Sequence, residues 1–377
     1  MAPASAKAED DLKALKTTVD STLRLIGQLS TSAVPIEDTA NTAVNALDLA
    51  HDTASLIRAH ATKLSLLIIN KPFTPTAIST VLRELVAGPL PGLVSAVELC
   101  NGSRYTKTMS TELQWNVKKV LRELAVLVSA IPLDGNILST DAKNGTGKTE
   151  GKGSLASTGV VWQACDGVIE LKKLGVAGLM TKLAEDYREL IEDALWEIQE
   201  WGEGGSDADE DSVVGSEDED DAQAAIDRMF TPQRHIPTAD PDKIRPRFES
   251  SVKRLQLVML MYKAVVKRRF KTLPRLPNLE NVPSLKENGD SNSGIAGTAD
   301  EVMDELKRIP EIVDELATAF YALGGEDIDK RMQECFTASF AAAKLLTKNW
   351  DGQEDEFSTW VSKLEPLLLS EAGKKPA

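Results

Sequence analysis

The chain has 377 residues, of which 42% are apolar but only 5% aromatic, with a formal charge of -15 and three cysteines. At about 100 to 200 residues per domain this predicts two or three domains, and cores built mainly of Leu, Val, Ile and Ala suit layers of helix on helix. The acidic balance argues against direct DNA binding, which needs a net basic surface, while Cys100, Cys165 and Cys335, odd in number and without a C-x-x-C pair, predict buried free thiols and no zinc site.

The opening MAPASAKAEDD has no apolar stretch of signal-peptide type. The densest apolar run, LVAGPLPGLVSAVEL at 85 to 99, is interrupted by Pro89 and Pro91 and falls short of a membrane span. The expectation is a soluble, intracellular chain without a transmembrane segment. Apolar residues recur at helical spacing, as in Leu12, Leu15, Val19, Leu23 and Ile26, or Leu113, Val117, Val120, Leu124 and Val128, and strand-type alternation is absent. Helices are predicted over 8–33, 36–70, 75–100 with a bend at Gly88-Pro89, 106–131, 155–173 and 176–201. Thr74-Pro75 reads as a cap followed by a first-turn proline.

Between these helices, NGTGKT at 144–149 resembles the end of a phosphate-binding loop. The required G-x-x-x-x-G-K-[ST] fails at its first glycine, where Ala142 stands, and no apolar strand precedes it. The stretch is read as a polar linker. Residues 203–221, EGGSDADEDSVVGSEDEDD, then carry ten acids and no base, a composition that predicts a disordered acidic linker. Further helices are predicted over 246–271, 298–323, 326–349 and 353–370, with a flexible connector at about 272–297. Thr298 to Glu301 forms a capping box, and Pro310 should kink the helix it opens.

The fold class is therefore all-α, with helices joined mostly by short turns in the manner of up-and-down bundles. The predicted division is an N-terminal helical bundle at 1–201, an acidic flexible linker at 202–237 and a C-terminal helical region at 238–377.

No catalytic constellation stands out. His51, His60 and His235 are scattered, and no G-x-S-x-G, H-E-x-x-H or G-x-G-x-x-G motif occurs. The expectation is a non-enzymatic protein with no cofactor, metal or small-molecule substrate. The sites that do emerge are for partners. The helix RPRFESSVKRLQLVMLMYKAVVKRRFK places Phe248, Val252, Leu255, Met259, Tyr262 and Val266 on one stripe, with Lys253, Arg254, Lys263, Lys267, Arg268 and Arg269 around it. Those cations could meet an acidic partner or nucleic acid, or dock against the 203–221 run. Ser206 before Asp209 and Ser216 before Glu219 suit an acid-preferring kinase, whose phosphates would add charge to the linker.

One segment is more distinctive. In VVWQACDGVIELKKLGVAGLMTKLAEDYRELIEDALWEIQEW, residues 160–201, Trp162, Cys165 and Asp166 precede a glycine-punctuated turn and a long acidic helix with Leu183, Tyr187, Leu190, Ala194, Ile198 and Trp201 on its inner side. With the acidic linker and the later Lys/Arg-rich helices, this resembles the cyclin-D1-binding protein 1 family, the Grap2 and cyclin-D-interacting proteins. The resemblance implies two helical bundles in the style of vinculin and talin. It also implies a protein-protein role in nucleus and cytoplasm, touching cell-cycle or transcription control through cyclin or transcription-factor partners. A cytoskeletal or adhesion adaptor of vinculin/talin type is the competing expectation.

Overall fold

The computed structural model describes residues 2–36, 44–145, 153–203, 236, 240, 242–277 and 294–369. Among them the regular elements are all helices, with no strand. The chain divides into two compact units, Met1–Leu179 with Arg275–Glu280, and Met180–Pro274 with Asn281–Ala377. The division falls inside a helix, so residues 180–203 go with the C-terminal helices.

In the first unit, α1 (Ala2–Ser32) buries Leu15, Val19, Thr22 and Ile26, a narrow seam spaced four, three and four. Helix α2 (Ala46–Ile69) starts ten residues later than predicted. Its first amides are met by Asn45, whose side-chain oxygen accepts from Leu47 and Asp48, and by the Tyr105 hydroxyl, which accepts from Ala46 N-H at 2.8 Å. The expected bend is a full break: α3 (Pro75–Ala87) and α4 (Pro89–Leu99) meet at Gly88, which has φ -147 and ψ -64. Pro75 opens α3 as predicted, but the Thr74 hydroxyl donates to the Pro72 carbonyl instead of capping. The span Pro75–Leu99 is long and apolar enough to pass for a membrane helix by composition. Leu82, Leu85, Leu90 and Leu93 are nevertheless fully buried in the unit.

The one-turn α5 (Gly102–Tyr105) leads to α6 (Lys107–Ser129), with the Thr106 hydroxyl capping Met109 N-H. Helix α1 packs on α3 and α6, and α2 packs on α4. A short α7 (Thr140–Asn144) follows. The two helices expected at 155–173 and 176–201 are both present, numbered together as α8 (Ser154–Glu203) and separated by a kink at Gly175, whose φ of 62 and ψ of -175 suit glycine.

In the second unit, residues 180–203 of α8 pack with α9 (Ile244–Arg268), α10 (Ile295–Tyr321), α11 (Gly325–Leu345) and α12 (Glu356–Leu369). Phe248 meets Phe320 edge-on at 6.2 Å between ring centroids, and Trp201 lies 6.0 Å from Phe320 and 5.7 Å from Tyr321. On α8 the buried side chains include Ala184, Ile191, Ala194, Leu195, Ile198 and Trp201; Leu190, expected inside, is 55% exposed. Helix α10 begins at Ile295 rather than at the Thr298 box, because Ile295 and Ala296 are already buried. Pro310 lies inside that helix.

Candidate partner-binding surface

The six cations predicted around α9 fall into two groups. Lys253, Lys263 and Lys267 are exposed. With Gln256 and the half-exposed Leu260 they share one outer stripe, as their spacing of three and four requires.

The arginines turn the other way. Arg254 sits 3.7 Å over the Phe336 ring of α11, a cation-π contact. Arg268 pairs with Glu356 of α12 at 2.8 Å, an exposed pair worth little by itself. Arg269 is fully buried. Its guanidinium donates to both Asp355 carboxylate oxygens at 2.8 Å and to the Leu346 carbonyl at 2.9 Å, and its plane stacks 4.5 Å from Phe357. Its own carbonyl accepts from Trp350 Nε1 at 2.7 Å. The bidentate Arg269 guanidinium, helped by the Ser358 and Phe357 amides, holds Asp355 well below the usual carboxylate range. Arg269 is thus a lock that seats α12, and neither it nor Arg254 faces a partner.

A groove of about 530 Å³ opens between α8 and α9. Its α9 wall carries Lys263, Lys267 and, just beyond the helix, Lys271, over Tyr262 and Val266; its α8 wall carries Glu185, Arg188 and Glu189 beside Ala184. Arg188 is tied to Glu192 at 2.7 Å. No ion pair holds the ammonium of Lys263, Lys267 or Lys271 among the described residues. Sequence reading does not single out Lys271, Arg188 and the two glutamates; the spacing of Glu185, Arg188 and Glu189 puts these three on one helix face, but which helix that face meets is set by the tertiary fold.

The other predicted features divide as follows. Ser206, Ser216, His235 and the acidic run lie outside the described residues. Of NGTGKT only Asn144 and Gly145 are described. Ala142, at the first-glycine position, is inside α7, which Ser139 caps and Gly145 closes with φ 74, so the backbone turn of a phosphate loop is replaced there by helix. All three thiols are buried, and burial pushes each up to about 12. His51 stands beside Asp52, and His60 faces Glu84 at 3.5 Å with its pKa lowered mainly by burial.

The distinctive 160–201 stretch has a structural job at its start. Trp162 Nε1 donates to the Thr62 hydroxyl at 3.1 Å, Arg58 lies 5.6 Å over the Trp162 ring and pairs with Asp166 at 3.2 Å, and Lys172 pairs with Asp48 at 3.0 Å. These contacts dock the first half of α8 on α2.

Comparison with known proteins bears on the same region. Residues 50–204 match the family model described as Grap2 and cyclin-D-interacting, N-terminal. An uncharacterized protein of Schizosaccharomyces pombe is 24% identical over 331 residues, covering 87% of this chain and 86% of the relative.

Proposed function

From the premise that residues 50–204 carry the N-terminal domain of the Grap2 and cyclin-D-interacting family, we propose that this chain is a non-enzymatic regulator of a cyclin-type or transcription-factor-type partner, working in nucleus and cytoplasm. Its contact surface is the α8–α9 groove with the lysine stripe beside it. The observation that carries the reading is the alignment of Lys263, Lys267 and Lys271 along an open groove with an apolar floor of Ala184, Tyr262 and Val266. Cations that no ion pair holds among the described residues, set around an apolar floor, fit an interface with a desolvated centre and a charged rim. The family description supports the cyclin-type partner, and the buried thiols, protonated at neutral pH, are poor nucleophiles.

The test is binding of a purified D-type cyclin to the intact protein by calorimetry. The Lys263→Glu/Lys267→Glu variant should bind about tenfold or more weakly, roughly 1.4 kcal/mol. Both positions are exposed, so folding should be unchanged by circular dichroism. Equal affinity of the two proteins overturns the assignment of the groove, and no binding by wild type overturns the cyclin reading.

A further inference from the structure

We propose that the α8–α9 groove is a binding site for acidic peptide and that its resident occupant is this chain's own run from Asp207 to Asp221. The proposal rests on the reading of the groove as a contact surface and adds what fills it. Helices α8 and α9 pair antiparallel. A Cβ added at Gly202 would meet the Phe248 ring at one end of the pair, while Ala184 and Arg188 share the groove with Tyr262 and Val266 at the other. At 1.5 Å per residue the groove lies about 25 Å from the end where α8 stops and α9 starts.

The chain between them leaves and returns at that same end, from Glu203 to Ile244. Extended, residues 204–235, up to the buried Ile236, could span roughly 105 Å, against a round trip of about 50 Å to the groove and back. The tether therefore reaches without strain. Charge sets the direction of binding. Residues 207–221 supply acids in two clusters, Asp207 to Asp211 and Glu217 to Asp221, with no base between them. The groove offers Lys263, Lys267 and Lys271 on its α9 wall, whereas Arg188 on the other is already paired with Glu192. Glu185 and Glu189 oppose an acidic occupant, so the run lies along the α9 side, where Lys253 continues the stripe. A tethered segment acts at an effective concentration of order millimolar, so even a weak intrinsic contact keeps the groove occupied. An incoming partner must displace it, and phosphate on Ser216, far enough along the tether to reach the groove, would tighten the hold.

The test uses the full chain and a fluorescein-labelled synthetic peptide of residues 204–221 as probe. Three proteins are compared at low salt, about 50 mM: wild type, a chain with every Asp and Glu from 207 to 221 changed to Asn or Gln, and that chain carrying Lys263→Glu and Lys267→Glu as well. The neutralised chain should bind the probe about tenfold more tightly than wild type, because its groove is no longer filled in cis. Salt should erase the gain, and the lysine reversal should abolish binding. Equal probe affinity for wild type and neutralised chain, absence of binding by all three, or binding that survives the reversal overturns the proposal. Zero-length carbodiimide coupling of wild type gives a second readout. Amide links from acids in 207–221 to Lys263, Lys267 or Lys271 are expected, and links to other lysines alone overturn it. If cyclin binding is lost on lysine reversal yet unchanged by neutralising the run, the groove stands as a contact surface and the occupant falls. If neither change alters cyclin binding, the underlying reading falls.

Discussion

Tyr262 and Pro310 make a pair whose coupling can be worked out from the structure. Pro310 sits inside α10 and has no N-H, so the carbonyl four residues earlier, at Leu306, lacks its helical donor. The Tyr262 hydroxyl of α9 donates to that carbonyl at 2.5 Å, and Tyr262 and Leu306 are both fully buried. Burial also pushes the Tyr262 phenol well above its ordinary value, so it stays a donor at any physiological pH. The Tyr262→Phe change keeps the ring and the groove floor but leaves a buried acceptor unsatisfied, at a cost of about 1 to 3 kcal/mol. Urea unfolding of the full chain should show this loss in the transition of the second unit, with the slope unchanged. In a Pro310→Ala background the new N-H satisfies Leu306 through the helix, so the same tyrosine change should cost less, giving a coupling of about 1 kcal/mol. Equal costs in the two backgrounds would refute the assignment of the hydroxyl to the gap left by the proline.

Three further outcomes are expected. Arg269→Ala leaves the buried Leu346 carbonyl without its donor, at a cost of about 1 to 3 kcal/mol, the partly exposed Asp355 carboxylate adding less because water screens it, read as faster hydrogen exchange across 356–369; unchanged exchange there would count against the lock. Because the folded pKa of Asp355 lies below its unfolded value of about 3.9, the stability it contributes is complete above that pH and is lost as pH falls toward the folded value; Asp355→Asn should flatten the acid limb of the stability curve, and a limb of the same steepness would show that other groups set it. Gly202→Ala places a Cβ about 2.3 Å from the Phe248 ring, which stands edge-on to Phe320. Overpacking of about 1 to 3 kcal/mol should outweigh the helical gain of up to about 1 kcal/mol from losing glycine, and a raised melting temperature would contradict it.

Helix existence was legible almost throughout because burial repeats at helical period, whereas boundaries were decided by contacts that no local window contains. The start of α2 depends on the Tyr105 hydroxyl, far along the chain from the Ala46 amide it meets. The capping-box signal at Thr298 gave way to the burial of Ile295 and Ala296, one turn earlier. The break at Gly88-Pro89 was readable from its residues alone. The kink at Gly175 between the two expected helices was readable in the same way, a single non-helical glycine being enough to make it. The short α5 and α7 had too few periodic residues to register, although Asn101 and Ser139, which cap them, are of the types that start helices.

The basic helix shows where composition misled and geometry would have served. At about 100° per residue, Arg269 falls near the middle of the face defined by Phe248, Ser251, Leu255, Val258 and Val265, all buried, while Lys253, Leu260 and Lys267 lie nearly opposite. The predicted stripe, Phe248, Val252, Leu255, Met259, Tyr262 and Val266, was therefore turned by roughly 60° from the face that is buried, which also contains Val258, Met261 and Val265. Counting cations treated the six as one patch, but rotation separates two arginines spent on internal contacts with Phe336 and Asp355 from the lysines that remain outside. The chemistry follows the same division. A planar guanidinium can be buried because its fixed donors match a carboxylate and carbonyls together, whereas a lysine ammonium, strongly hydrated on a mobile stem, is cheaper to leave at the surface. Reversing Arg268 and Arg269 would thus remove the seat of α12 along with any surface charge, and loss of binding in such a variant could not be assigned to the surface. Lys263 and Lys267 are the positions where a change of sign alters the groove and leaves the core contacts of α9 in place.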